Sequence, residues 1–78
     1  MNYSFDSLYD YEVNGVGVTR WLCSFLNDED KLRNVEIEVF HDDQMTIKVV
    51  EEESDELTDD ERGLFYYLLD RWAINNLI

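Results

Sequence analysis

Proline is absent from this chain of 78 residues, and cysteine and histidine occur once each, as Cys23 and His41. A single cysteine excludes an intrachain disulfide and any cysteine-based metal site within one chain. It fits a reducing, cytoplasmic setting. With three glycines there is no phosphate-binding loop: "NGVGV" at 14–18 lacks the third glycine and the preceding βαβ context of a dinucleotide fingerprint. No apolar run approaches the roughly 18 residues of a membrane span. The opening "MNYSFDSLYDYE" is acidic and has no apolar segment of the secretory type, so no signal peptide is expected. No internal repeat is present.

The scarcest property is positive charge. Six Lys and Arg face nineteen Asp and Glu, a formal net charge of −13. Self-repulsion of that size costs stability, most of all at low salt. Phosphates and anionic lipid surfaces are repelled, so neither direct nucleic-acid binding nor membrane binding is expected, whereas cationic partners are steered in. Apolar residues make up 45% of the chain and aromatics 14%, too many for a disordered acidic tail. The chain is expected to fold as one domain over residues 1–78, with a small core; a chain of this size buries about 60–65% of its unfolded surface.

"LYDYEVNG" (8–15) alternates Tyr9, Tyr11 and Val13 with Asp10, Glu12 and Asn14, which predicts a strand entering an Asn-Gly turn. A helical turn from Ser4, with Phe5, Leu8 and Tyr9 as its apolar spacing, competes for the same segment. "VTRWLCSFLND" (18–28) places Val18, Trp21, Leu22, Phe25 and Leu26 on one stripe and predicts a short helix capped by Thr19. Residues 34–51 predict a hairpin. Val35, Ile37 and Val39 share a face with Met45, Ile47 and Val49 if paired positions sum to 84, which sets Glu36 opposite Lys48. "TDDE" (58–61) is a capping box for a last helix, whose core face is Leu64, Phe65, Leu68, Leu69 and Trp72. Gly63 costs that helix up to about 1 kcal/mol. Tyr66, Tyr67, Ile74 and Leu77 lie off the core face, suited either to a homodimer contact or target interface, or to closing over the N-terminal segment. The expectation is an α+β fold of two layers: a small antiparallel β-sheet (hairpin 34–51 plus an N-terminal strand) packed against two helices, in the order β-α-β-β-α.

No catalytic constellation is visible, and the chain is not expected to be an enzyme. His41 reads as a solvated turn residue and Cys23 as a semi-buried thiol. The acidic segments "DEDKLRNVEIEV" and "DDQMTIKVVEEE" lack the central glycine of an EF-hand loop, so neither metal nor cofactor is expected beyond weak divalent binding along 51–61.

The acids are therefore read as a contact surface. Eight of the eleven residues from Glu51 to Glu61 are carboxylates. Asp59, Asp60 and Glu61 suit the positive end of the last helix. Glu51, Glu52, Glu53, Asp55 and Glu56 have no such local role and, with Glu36, Glu38, Asp42 and Asp43 of the hairpin, form the predicted partner-binding set. Asp28, Glu29 and Asp30 make another patch. Rows of carboxylates on a rigid scaffold imitate the closely spaced charges of a nucleic-acid backbone. In composition the chain resembles the small acidic DNA-mimic inhibitors of phage and mobile elements, of anti-CRISPR or anti-restriction type. The resemblance implies a stoichiometric inhibitor that occupies the nucleic-acid site of a CRISPR effector, restriction enzyme or nuclease. An acidic immunity protein that neutralises a basic nuclease toxin would show the same electrostatics. So would the solvated surface of a protein from a high-salt cytoplasm, since only Lys31 and Lys48 are lysines.

Overall fold

A computed structural model describes residues 2–77 and shows four antiparallel strands followed by one helix. The strands are β1 (Tyr3–Val13), β2 (Val16–Leu26), β3 (Leu32–Phe40) and β4 (Ile47–Val49), arranged in the sheet in chain order. A 3-10 turn, Glu51–Glu53, leads to α1 (Asp59–Asn76), which covers one sheet face. The α+β, two-layer expectation stands. The order is β-β-β-β-α rather than β-α-β-β-α, with one helix instead of two.

The missing helix is β2. Its Trp21, Cys23 and Phe25 point to α1, while Val18, Arg20 and Leu22 point to the opposite face. A central strand with apolar residues on both faces satisfies helical spacing by accident, and hydrogen bonding to β1 and β3 decides the outcome. Thr19 consequently caps nothing; its hydroxyl donates to Asp10 at 2.7 Å.

The Asn-Gly turn forms where expected. Asn14 and Gly15 have φ of 51° and 83°, the positive pair that a two-residue hairpin of matching twist requires. β1 extends back to Tyr3, so the segment is strand and not helical turn. A bulge at Leu8 interrupts it. Before the bulge Phe5 and Ser7 oppose Cys23 and Trp21; after it Tyr9 and Tyr11 oppose Arg20 and Val18. One extra residue switches the strand's faces, sending Phe5 to the helix side and the two tyrosines to the open side.

The hairpin of β3 and β4 keeps the expected faces but not the expected register. Ile37 pairs with Val49 and Glu38 with Lys48, so positions sum to 86, and Glu36 does not face Lys48. The connection is longer than expected because Met45 adopts φ 51° and leaves the strand. Asp42 organises that connection, accepting from the Gln44 and Thr46 amides at 3.1 Å and the Thr46 hydroxyl at 2.9 Å. Beyond β4, the edge of β3 is completed by Val50, whose N–H donates to Glu36, and then by Ser54 and Asp55, which bond to Glu36 and Asn34.

α1 begins at the predicted capping box, with Thr58 and Glu61 exchanging side-chain-to-backbone bonds. It buries Phe65, Leu68, Leu69 and Trp72 on Val35, Ile37, Val39, Cys23 and Phe25. Phe5 stacks on Trp72 with ring centres 4.5 Å apart, and Trp21 meets the same ring edge-on at 4.8 Å. Among the described residues, no helix is long and apolar enough to cross a membrane.

Candidate acidic interface

Two arginines divide the acids into those paired within the fold and those left to solvent. Arg20, on the open face of β2, lies 3.5 Å from Glu36 and 3.7 Å from Glu38 of β3. These side chains are only 15–23% exposed. The Tyr11 hydroxyl donates to Glu38 and receives from Arg20, and the guanidinium sits 5.7 Å above the rings of both Tyr9 and Tyr11. Burial, followed by the Glu38 contact, pushes the Tyr11 hydroxyl above its usual pKa; the bond to Tyr11 raises Arg20 further still. Arg33, on β3, lies 3.4 Å from Glu61, whose other donors are the Asn27 amide at 2.8 Å and the Thr58 N–H at 2.9 Å. Those donors, Thr58 first, then Asn27 with help from Arg33, hold Glu61 below the ordinary carboxylate range.

Among the described residues, with Glu36, Glu38 and Glu61 paired to two arginines, sixteen acidic side chains remain against four Lys and Arg. Strand alternation predicts that Glu36 and Glu38 project from the outer sheet face; they do, and there they form a half-buried ion cluster with Arg20. Asp42 folds back on its own turn, and the Thr46 amide and hydroxyl lower its pKa. Asp43 is exposed beside it. Both lie past the Phe40 end of β3, whereas Asp55 docks on Asn34, about 20 Å away at the rise of an extended strand.

Glu51, Glu52, Glu53 and Glu56 are exposed. The 3-10 turn carries the first three outward from the sheet edge, because the chain is pinned on both sides of it by Val50 and Ser54. Asp55 is exposed but accepts the Asn34 N–H at 2.8 Å, so part of its capacity is internal. The acids continue into Asp59 and Asp60 of the first helical turn. There they meet the β2–β3 loop: Asn27, Asp28 and Glu29 share a cleft with Thr58, Asp60 and Glu61. Nothing in the local sequence signals this junction, since the two segments lie some thirty positions apart. The Asn27–Glu61 bond makes it, and the loop itself is held by Asn27 accepting from the Glu29 and Lys31 amides at 2.9 Å. The result is one acidic edge: Glu51–Glu53, Asp55, Glu56, Asp59, Asp60, Asp28 and Glu29.

Comparison with protein-family models, with curated proteins and with solved structures finds no match for this chain.

Other chemistry-bearing groups lie away from this edge. Cys23 is fully buried, and burial pushes its thiol up to about 12, far from a reactive thiolate. His41 Nε2 lies 2.7 Å from the Thr19 hydroxyl, which gives its proton to Asp10. In that order the hydroxyl stands between the acid and the imidazole, so the imidazole does not receive the hydroxyl proton as a nucleophile-activating base would. Among the described residues, no group of three His, Cys, Asp or Glu side chains has the geometry to hold a metal ion. What the acidic edge offers is a line of acceptors for the charge-assisted bonds of arginine and lysine.

Proposed function

We propose that this protein is a stoichiometric inhibitor that presents its acidic edge as a substitute for a nucleic-acid backbone. Its partner is then a basic nucleic-acid-binding protein or complex, such as a CRISPR effector, a restriction enzyme or a nuclease. The observation that supports this reading is the continuity of exposed carboxylates from Glu51 through Asp60 to Asp28 and Glu29. B-form DNA carries a charge every ~1.7 Å of axis, and a protein that grips it does so with Lys and Arg that contact several phosphates. The hairpin acids take a smaller part than their number suggests: Glu36 and Glu38 share Arg20, and Asp42 holds its own turn. The partner's arginines are expected at the 3-10 turn and the start of α1.

The test is capture of such a complex from the cells in which the protein acts, with duplex DNA as competitor and salt as variable. Wild type should retain a basic nucleic-acid-binding complex, and DNA or rising salt should displace it. The combined variant Glu51→Lys, Glu52→Lys, Glu53→Lys should lose capture and inhibition. Asp6→Lys, Asp10→Lys, Glu12→Lys makes the same change in net charge at exposed sites elsewhere and should keep both. Equal loss in the two variants would mean that net charge alone acts; retention in both would end the proposal.

A further inference from the structure

We infer that the exposed face of α1 is the contact surface for a second copy of this chain, the two helices packing antiparallel about an axis beside residues 68–69. Four observations meet there. Tyr66 and Tyr67 are 49% exposed and Ile74 63%, although α1 already buries a full core face on the sheet. Gly63 lies on the same outer face, and a Cβ there would meet nothing within 4 Å. A glycine destabilises a helix interior relative to alanine, and no contact within the fold requires one at this position. Space for a close approach from outside is what it provides. The third observation is charge. On this face Arg71 stands against Asp70, a local balance of zero, whereas the chain as a whole carries −13. A second acidic body meets less repulsion here than at the acidic edge.

The fourth observation is the match of this face to its own two-fold image. Gly63, Tyr66, Tyr67, Asp70, Arg71 and Ile74 span about 140° of the helix at 100° per residue. In an antiparallel pair whose positions sum to 137, Ile74 of each copy enters the gap over Gly63 of the other. Arg71 then lies over Tyr66, and Asp70 reaches the Tyr67 hydroxyl. Arg71 already stands 5.6 Å from the ring of its own Tyr67 and donates to that hydroxyl at 3.1 Å, so its side chain is held on this face before the copies meet. A basic target would not favour this face, which has no excess of acid to offer it. The contact runs over about 18 Å of helix and is small, so the dimer is expected to depend on concentration.

Salt separates this contact from the acidic edge. Joining two strongly negative bodies becomes easier as salt rises, while binding of a cationic partner weakens. Sedimentation of the full chain at about 0.05 M and about 0.5 M salt should show dimer increasing with both concentration and salt. Ile74→Asn, at an exposed site, should weaken association by about tenfold or more. Gly63→Gln should do the same while raising the melting temperature of the dilute chain, two opposite effects that a merely structural glycine would not produce. Gly63→Cys combined with Ile74→Cys should oxidise to a covalent dimer, because the two positions are about 16 Å apart within one helix and meet only between copies. A chain that stays monomeric at every concentration and salt overturns the inference. So does a dimer that neither Ile74→Asn nor Gly63→Gln weakens, or one that salt dissociates. None of these outcomes bears on inhibition through Glu51–Glu53, which uses different residues.

Discussion

Glu61 shows how one residue type serves two purposes in an acid-rich chain. It is 8% exposed, caps α1, ties the β2–β3 loop through Asn27 and neutralises Arg33. Its neighbours Asp59 and Asp60 are exposed and remain available to a partner. The donors around Glu61 favour its charged form in the folded state, so its folded pKa lies below the unfolded one. Its contribution is therefore fully present above the ordinary carboxylate value of 4.5 and is lost as pH falls through the lower folded value. The fall in net charge as pH approaches the sequence pI of about 4.1 acts in the opposite sense, because it relieves self-repulsion. Comparing variants isolates the residue. Glu61→Gln keeps a capping-box acceptor but no charge, and should melt below wild type at neutral pH. The gap should shrink as pH falls below 4.5. Melting curves across that range check it, and a gap that does not change with pH would show that the charge of Glu61 plays no part.

Among the elements, β1 depends on a single inserted residue. Without the Leu8 bulge, Tyr9 and Tyr11 would share a face with Phe5, and both ends of the strand would compete for the helix side. With it, Phe5 stacks on Trp72 while Tyr9 and Tyr11 roof Arg20. Phe5→Ala should then cost about 2–3 kcal/mol and lower the melting temperature by roughly 10–20 °C. Tyr9→Ala, at 54% exposure, should cost under about 1 kcal/mol. Equal costs, measured by urea unfolding, would mean that the strand does not switch faces. Local signals were legible for such elements: the Asn-Gly turn and the Thr58–Glu61 capping box each lie within a few positions and formed as expected. β2 was not, because Val18, Trp21, Leu22, Phe25 and Leu26 satisfy two periods and only pairing with distant strands chooses between them. The parity of the β3–β4 register was legible from the alternation, its value was not, since Asp42 and the positive φ of Met45 set the loop length. The candidate site divided in the same way. Its 51–56 core stands out in the chain, but the joining of Asp28 and Glu29 to Asp60 and the pairing of Glu36 and Glu38 to Arg20 are products of topology.

At the scale of the whole molecule, charge is distributed rather than merely abundant. On the open sheet face Arg20 offsets part of the charge of Glu36 and Glu38, and the outer face of α1 is close to neutral. Nine of the remaining acids gather along one edge of a body measuring 41 × 26 × 19 Å, and there Arg62 borders Glu51 and Asp55. Such an edge repels itself, so screening should stabilise the fold: the melting temperature should rise as salt goes from about 0.01 M to about 0.5 M. Glu51→Lys, Glu52→Lys, Glu53→Lys should relieve that repulsion and melt several degrees above wild type at about 0.01 M salt, with the gap closing near 1 M, where the screening length is about 3 Å. The variant proposed to lose its partner is thus expected to be the more stable protein, as it should be if these carboxylates are retained for a contact and not for folding. A chain adapted only to a high-salt cytoplasm would instead be unfolded at about 0.01 M salt, and there the edge could capture nothing. A wild type that is folded at that salt and binds its partner most tightly there would exclude the adaptation. A triple variant no more stable than wild type at low salt would show that the three glutamates are not under mutual repulsion.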